Sequence, residues 1–367
     1  MKYKLMSIVF CGLLLLGMGL NLMTPDRDIS FTERRPLAQA PQIDKEFLTS
    51  EDGGEKVESY LLDQFWNRDG FRRLKVWFDQ RILNKSDSNG LYQIGDHLFK
   101  INYPLNVSSV EKAAQKMLAI REKLLGEADQ VAYAVIPDKA HYAPDREQYL
   151  SVDYDEMTDI LKEGLPAMEY VSLEEHLELD DYYNTDLHWR QENLEEVTEA
   201  IWEHFGIEGQ IDTQSMEVGE YEPFYGAYYG QIAASGDGDR LVWLRDEEID
   251  GLQVTDYDEM KEIRNVVYAE EKLGTVDSYE LFFGGNSPLI VIDNPQCNSG
   301  ERLVIFRDSF ASAIVPLLAK EYSQVVLVDL RFMGYEFLDQ FVDFEGADVL
   351  FLWEQQVYND SSMIRAR

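Results

Sequence analysis

RLVIFRDSFASAIVPLLAKEYSQVVLVDL, residues 302–330, decides the fold. RLVIF and QVVLVDL are near-continuous apolar runs of strand length, and SFASAIVPLLAKEY between them reads as a helix. A strand that feeds a helix and returns to a second strand makes a right-handed crossover, which lays the strands parallel. Strands buried on both faces lose the alternation of half-exposed ones, as these runs do. Outward from them, SPLIVID (287–293) comes before and ADVLFLWE (347–354) after, with GYEFLDQFVDF (334–344) reading as a further helix. Upstream, VAYAVI (131–136) and MEYVSL (168–173) add two more strands, and helical spacing covers 108–125, 155–163 and 189–205. The prediction is a three-layer α/β/α domain on a flavodoxin-like parallel sheet, doubly wound and spanning 90–367.

Two segments precede it. Lys2 and Lys4 flank an apolar stretch, Leu5 to Met23, about 28 Å long as a helix at roughly 1.5 Å per residue. That length nearly crosses a hydrocarbon core, and the basic side puts the remainder outside the cytoplasm. An uncleaved anchor over 1–23 is favoured over a cleaved signal: Ala38-Gln39-Ala40 lies far beyond the apolar run and Pro41 follows it. Residues 24–89 read as an extended tether followed by two amphipathic helices divided at Gly70. Core packing is the expected role of their aromatics (Phe65, Phe71, Trp77 and Phe78), with a carbohydrate platform as the alternative.

The composition narrows the function. Against 33 basic residues stand 69 acidic ones, a net charge of -36, and such a surface repels phosphate backbones, so nucleic acid is not expected as a partner. Cys11 and Cys297 are the two cysteines, and Cys11 lies in the apolar run, so the folded part forms no internal disulfide. Zinc spacing is missing, and Asp237-Gly238-Asp239 reads as a turn rather than a calcium loop. Residues 207–282, rich in tyrosine and glycine, give no clear element pattern beyond tight turns around FYGAYYGQIAASGDGDR.

Ser309 stands where RLVIF ends and a helix begins, a turn that points a side chain into the crevice beyond the strand ends. A serine hydroxyl is a poor nucleophile until a base takes its proton and an acceptor orients that base. Asp186 and His188, two residues apart in TDLHW, supply both roles if the segment is extended. Each piece has a plainer explanation: Asp308-Ser309 as a helix cap, and Asp186–His188 as a surface hydrogen bond.

The N-terminal apolar helix, FTERRPLAQAP, VIPDK, TDLHW, DSFASAIVPLL and VDLR together resemble the DHHW family. These are exported, SGNH-hydrolase-like proteins similar to the alginate O-acetylation proteins of bacterial exopolysaccharide systems. The resemblance implies a triad of Asp186, His188 and Ser309, with no metal or organic cofactor. It also implies a cell-surface polysaccharide substrate and a membrane-bound O-acyltransferase partner that delivers acetyl. Two positions depart from the family pattern: Leu187 replaces the first histidine of the motif, and Arg307 replaces the glycine before Asp-Ser. Arg307 is a candidate to bind substrate, narrow the site or mark lost activity. Asn286 and Arg331 are candidate oxyanion or substrate residues. The expected function is transfer or removal of acetyl groups on a surface glycan; the alternative is a non-catalytic scaffold of that shape.

Overall fold

The computed structural model describes residues 2–31, 33–44, 47, 52–83, 85–144, 146–232, 237–258 and 261–365. They form two compact units, Met1–Asn89 with Tyr229–Gly236, and Gly90–Tyr228 with Asp237–Arg367.

In the first unit, α1 (Lys2–Met23) is long and apolar enough to cross a membrane. A two-stranded pair, β1 (Ile29–Ser30) and β2 (Arg35–Pro36), leads to α2 (Gly53–Asp63) and α3 (Arg68–Arg81). The helix break falls at residues 64–67, not at Gly70. Asn67 takes a left-handed φ of 49°, and Gly70 lies in the first turn of α3, where a Cβ would stand 2.4 Å from the Asn67 amide. The expected core packing of the aromatics is overturned: Phe65, Phe71, Trp77 and Phe78 are all exposed.

The second unit opens with the hairpin β3 (Leu91–Ile94) and β4 (His97–Lys100). Helix α4 (Val107–Leu124), capped by Asn106, leads to β5 (Val131–Ile136). Then come α5 (Tyr154–Gly164), the short β6 (Glu169–Tyr170) and α6 (Glu195–His204). The middle region resolves into two hairpins, β7 (Glu217–Phe224) with β8 (Asp239–Arg245) and β9 (Gln253–Asp258) with β10 (Lys261–Asn265). The turn expected over its AASG stretch, 233–236, lies outside the described residues. After β11 (Leu289–Asp293) and β12 (Arg302–Arg307) follow α7 (Ala311–Leu318), β13 (Gln324–Val328) and β14 (Asp348–Glu354).

The main sheet has the order β10-β9-β11-β13-β12-β14-β5-β6. Its working half is parallel, with Val304 opposite Val326 and Val349, and Leu350 opposite Ala132. SPLIVID joins this half antiparallel, Ile290 opposite Leu327. Residues 294–301, which lead from β11 to β12, hold no helix and are shorter than the dozen or so residues a parallel crossover needs. GYEFLDQFVDF forms a 3-10 segment, Tyr335–Gln340, instead of an α-helix; Gly334 before it has no side chain to cap the first turn.

Alternate residues of each strand feed two cores. Leu303 and Ile305 pack with α6 and α7, while Val304 and Phe306 pack with α4 and α5. This is the α/β/α sandwich, and it leaves Asp138, Asp308, Asp329 and Glu354 at the carboxyl ends of β5, β12, β13 and β14.

Candidate active site

Asp308 shapes the turn after β12. Its Oδ1 accepts the Phe310 N–H at 2.9 Å, and its Oδ2 accepts the Glu354 N–H at 2.7 Å. Burial pushes the Asp308 carboxyl pKa up, against the pull of Arg331 and of those two backbone donors. Asp308 thus ties the turn before α7, and the Ser309 hydroxyl is left over. TDLHW binds the same turn from the other side. The Trp189 indole donates to the Phe310 carbonyl at 2.8 Å and the Gln191 amide to Ala313 at 2.7 Å.

These ties bring His188 Nε2 to 2.8 Å from Ser309 Oγ and His188 Nδ1 to 2.6 Å from Asp186 Oδ1. A carboxylate only accepts, so Nδ1 carries the proton and Nε2 offers its lone pair to the hydroxyl. The imidazole lies flat on Tyr279, ring centres 3.8 Å apart, with Phe310 at its other side. Asp186 is fully buried. Its Oδ1 also accepts the His188 N–H at 3.0 Å, and its Oδ2 the Ala227 N–H at 2.6 Å. The arrangement can carry a proton from serine to imidazole and hold the resulting imidazolium.

Three residues to which the sequence reading gave no part in the site hold the Asp186 loop. Lys139, in VIPDK, is 1% exposed. Its ammonium donates to the carbonyls of Tyr183, Asn184 and Asp186 at 2.8, 3.0 and 2.6 Å. Asp239 is buried rather than merely part of a turn. It accepts from the Asn184 and Thr185 N–H groups, both at 2.8 Å, and pairs with Arg190 at 3.0 Å. Gly226 lies so close that a Cβ would stand 2.4 Å from the Asp186 Cβ and 2.4 Å from the Thr185 carbonyl. Gly226→Ala is expected to push the loop off its seat. The melting temperature should fall by several degrees, read by thermal unfolding.

The remaining candidates separate. Arg307 is 1% exposed. It donates to the Ser312 hydroxyl at 2.9 Å and to the Ser287 carbonyl at 3.4 Å, while its Nε has no acceptor among the described residues. Burial lowers its pKa. The expectation that it binds substrate or narrows the mouth does not fit this burial: its guanidinium is taken up by Ser312 of α7 and the Ser287 carbonyl. Arg331 forks onto Asp329, Nε–Oδ1 2.9 Å and Nη2–Oδ2 2.7 Å. Burial opposes its charge, but the Asp329 pairing outweighs that and holds its pKa up. Its Nε and Nη2 are the donors held on that carboxylate. Asn286 is exposed, after Phe283, Gly284 and Gly285 at φ 58°, 74° and 109°. That turn runs from Tyr279, on the His188 ring, to Ser287, on Arg307, so Asn286 stays at the site's edge. Among the described residues no group of three or more His, Cys, Asp or Glu could hold a metal ion.

The sequence matches no family model and no curated protein. Solved structures do match. A DHHW family protein from Eubacterium siraeum superposes with a TM-score of 0.63 at 18% identity, covering 77% of this chain and 98% of that one. The chain shares the fold of that DHHW family protein. Bacillus cereus PatB1 gives the same answer, TM-score 0.61 at 20% identity over 76% of this chain and 99% of PatB1. PatB1 with a sulfonyl adduct matches at 0.59 and 20% identity, covering 73% and 95%. The α/β/α sandwich expected from 302–330 is thus shared with these solved structures, and TDLHW and RDSF lie at its carboxyl edge.

Proposed function

We propose that this protein is a serine acyltransferase or esterase that moves acetyl groups on a cell-surface polysaccharide, working outside the membrane to which α1 anchors it. The observation that carries the reading is the unbroken chain Asp186–His188–Ser309, 2.6 and 2.8 Å, at the carboxyl edge of the parallel sheet. His188 Nε2 takes the Ser309 proton as Oγ attacks the acetyl carbonyl, and the donor alcohol leaves with that proton, giving acetyl-Ser309. A sugar hydroxyl then resolves the acyl-enzyme in transfer, or water in hydrolysis, with His188 again moving the proton. The Ser309 N–H at the start of α7 is the donor we assign to the oxyanion, because the Phe310 N–H is already given to Asp308. A membrane-bound O-acyltransferase is the proposed source of acetyl. Arg307, the residue that favoured the scaffold alternative, is buried against the Asp308 carbonyl and the Ser312 hydroxyl rather than exposed beside the nucleophile.

Sulfonyl reagents give a direct test, since PatB1 carries a sulfonyl adduct. Incubated with phenylmethylsulfonyl fluoride, the protein is expected to gain one sulfonyl mass, placed on Ser309 by peptide mapping and blocked by prior acetylation. Labelling that is absent, or that survives in Ser309→Ala, would sink the reading.

A further inference from the structure

Helix α3 is built inside out. Phe71, Leu74, Phe78 and Ile82 recur at helical spacing, and with Trp77 they are 46–56% exposed. The sheltered flank carries polar groups instead: Arg68 and Arg72 both pair with Glu33, and Asp79 is buried. A helix of a water-soluble domain turns its apolar stripe inward. From α2 and its end, Leu61, Leu62 and Phe65 add to the same kind of surface. Around the stripe stand the exposed Arg73, Lys75 and Arg81, cations in a chain whose net charge is -36.

The corner between α2 and α3 is stitched to the outer end of α1. The Trp66 N–H donates to the Asn21 amide oxygen at 2.8 Å. Gln64 and the Arg27 backbone exchange two hydrogen bonds of 2.9 Å each, and the Tyr60 hydroxyl reaches Asp26 at 3.0 Å. Residues 21–27 are where the apolar helix ends, so the exposed stripe begins where a span would leave the hydrocarbon.

We propose that α2 and α3 lie on the outer leaflet of the bilayer that α1 crosses. Phe71, Leu74, Trp77, Phe78 and Ile82 enter the headgroup–acyl boundary, while Lys75 and Arg81 reach up to lipid phosphates. A basic amphipathic helix with aromatic residues on its apolar side suits that boundary, and long cationic side chains bridge it. The bilayer is the occupant favoured over a protein partner because the surface continues directly from the span. The inference rests on reading α1 as an anchor.

The test uses the full chain with Cys11→Ser and Cys297→Ser, reconstituted in vesicles of phosphatidylcholine and phosphatidylglycerol. Spin labels go on Leu74→Cys, Phe78→Cys, Arg73→Cys and Leu14→Cys. The ratio of oxygen to nickel-chelate accessibility is expected to be several-fold higher at positions 74 and 78 than at 73, approaching that at 14. If 14 is in the bilayer while 74 and 78 read as water-exposed, this proposal is overturned and the anchor stands. If 14 is also in water, the anchor reading fails first. Labels at 74 and 78 shielded from both oxygen and nickel would mean that protein, such as a second copy, covers the face, and would overturn the proposal too. Lys75→Glu with Arg81→Glu should pull both labels toward water; unchanged depth would count against the phosphate contacts.

Discussion

Ser309→Ala should lower turnover of p-nitrophenyl acetate by several orders of magnitude and leave the fold nearly untouched. The Ser309 hydroxyl has one described partner, His188 Nε2, and does not cap α7, so its loss should cost about 1 kcal/mol or less. Without the nucleophile only oxyanion contacts and binding remain. His188→Ala should lose nearly as much activity but more stability, about 2–4 kcal/mol, because it empties the space between Tyr279 and Phe310. The double variant should be little slower than either single one, since the two residues act as a unit. Asp186→Asn should fall less, because serine and imidazole still meet. Initial rates beside thermal melts check the set. Equal rates for Ser309→Ala and the unaltered protein would remove the enzyme and leave the scaffold.

Lys139→Met is expected to cost about a hundredfold in kcat/KM, although Lys139 touches no reacting atom. It leaves three loop carbonyls without their shared donor, and a displacement near 1 Å at a catalytic group is worth about 10²-fold. Burial pushes the Lys139 pKa down to about 8 from 10.5, against the pull of Asp186, Asp138 and Asp239. Below pH 8 folded and unfolded chains both carry the charge, and the cost of burying it is present in full. Between about 8 and 10.5 the unfolded chain holds a proton that the folded one has released, so this contribution to stability rises with pH. Over the same window the amine keeps too few hydrogens to serve three carbonyls. Turnover should therefore fall through pH 8 while the protein grows more resistant to urea. Lys139→Met should erase both trends. An alkaline limb unchanged in that variant would clear Lys139 of the role.

How much could be read in advance follows the range of the interactions. VAYAVI, RLVIF and QVVLVDL announce themselves because a strand buried on both faces must be apolar throughout. Asp186 and His188 are legible because their contact spans two residues, and Ser309 because a strand-to-helix turn is local. Lys139, Asp239 and Gly226 were not, since their partners are backbone atoms of a loop 40 or more residues away. A sequence carries no mark for a carbonyl that will need a donor. Helix α3 was visible as amphipathic, but periodicity says only that a stripe exists, not which solvent it faces. The β9–β10 hairpin was missed because its strands, QVTDYD and KEIRN, are polar at a sheet edge.

The Glu354–Asp308 hydrogen bond sets an order in time. The turn that presents Ser309 is closed by an amide at the end of β14, the last strand of the sheet. A chain emerging amino end first thus exposes Asp186, then His188, then Ser309, before the segment that locks the nucleophile has appeared. Until that strand docks, the Asp308 carboxylate lacks one of its two backbone donors, and the turn that carries Ser309 is held only from the TDLHW side and by Phe310.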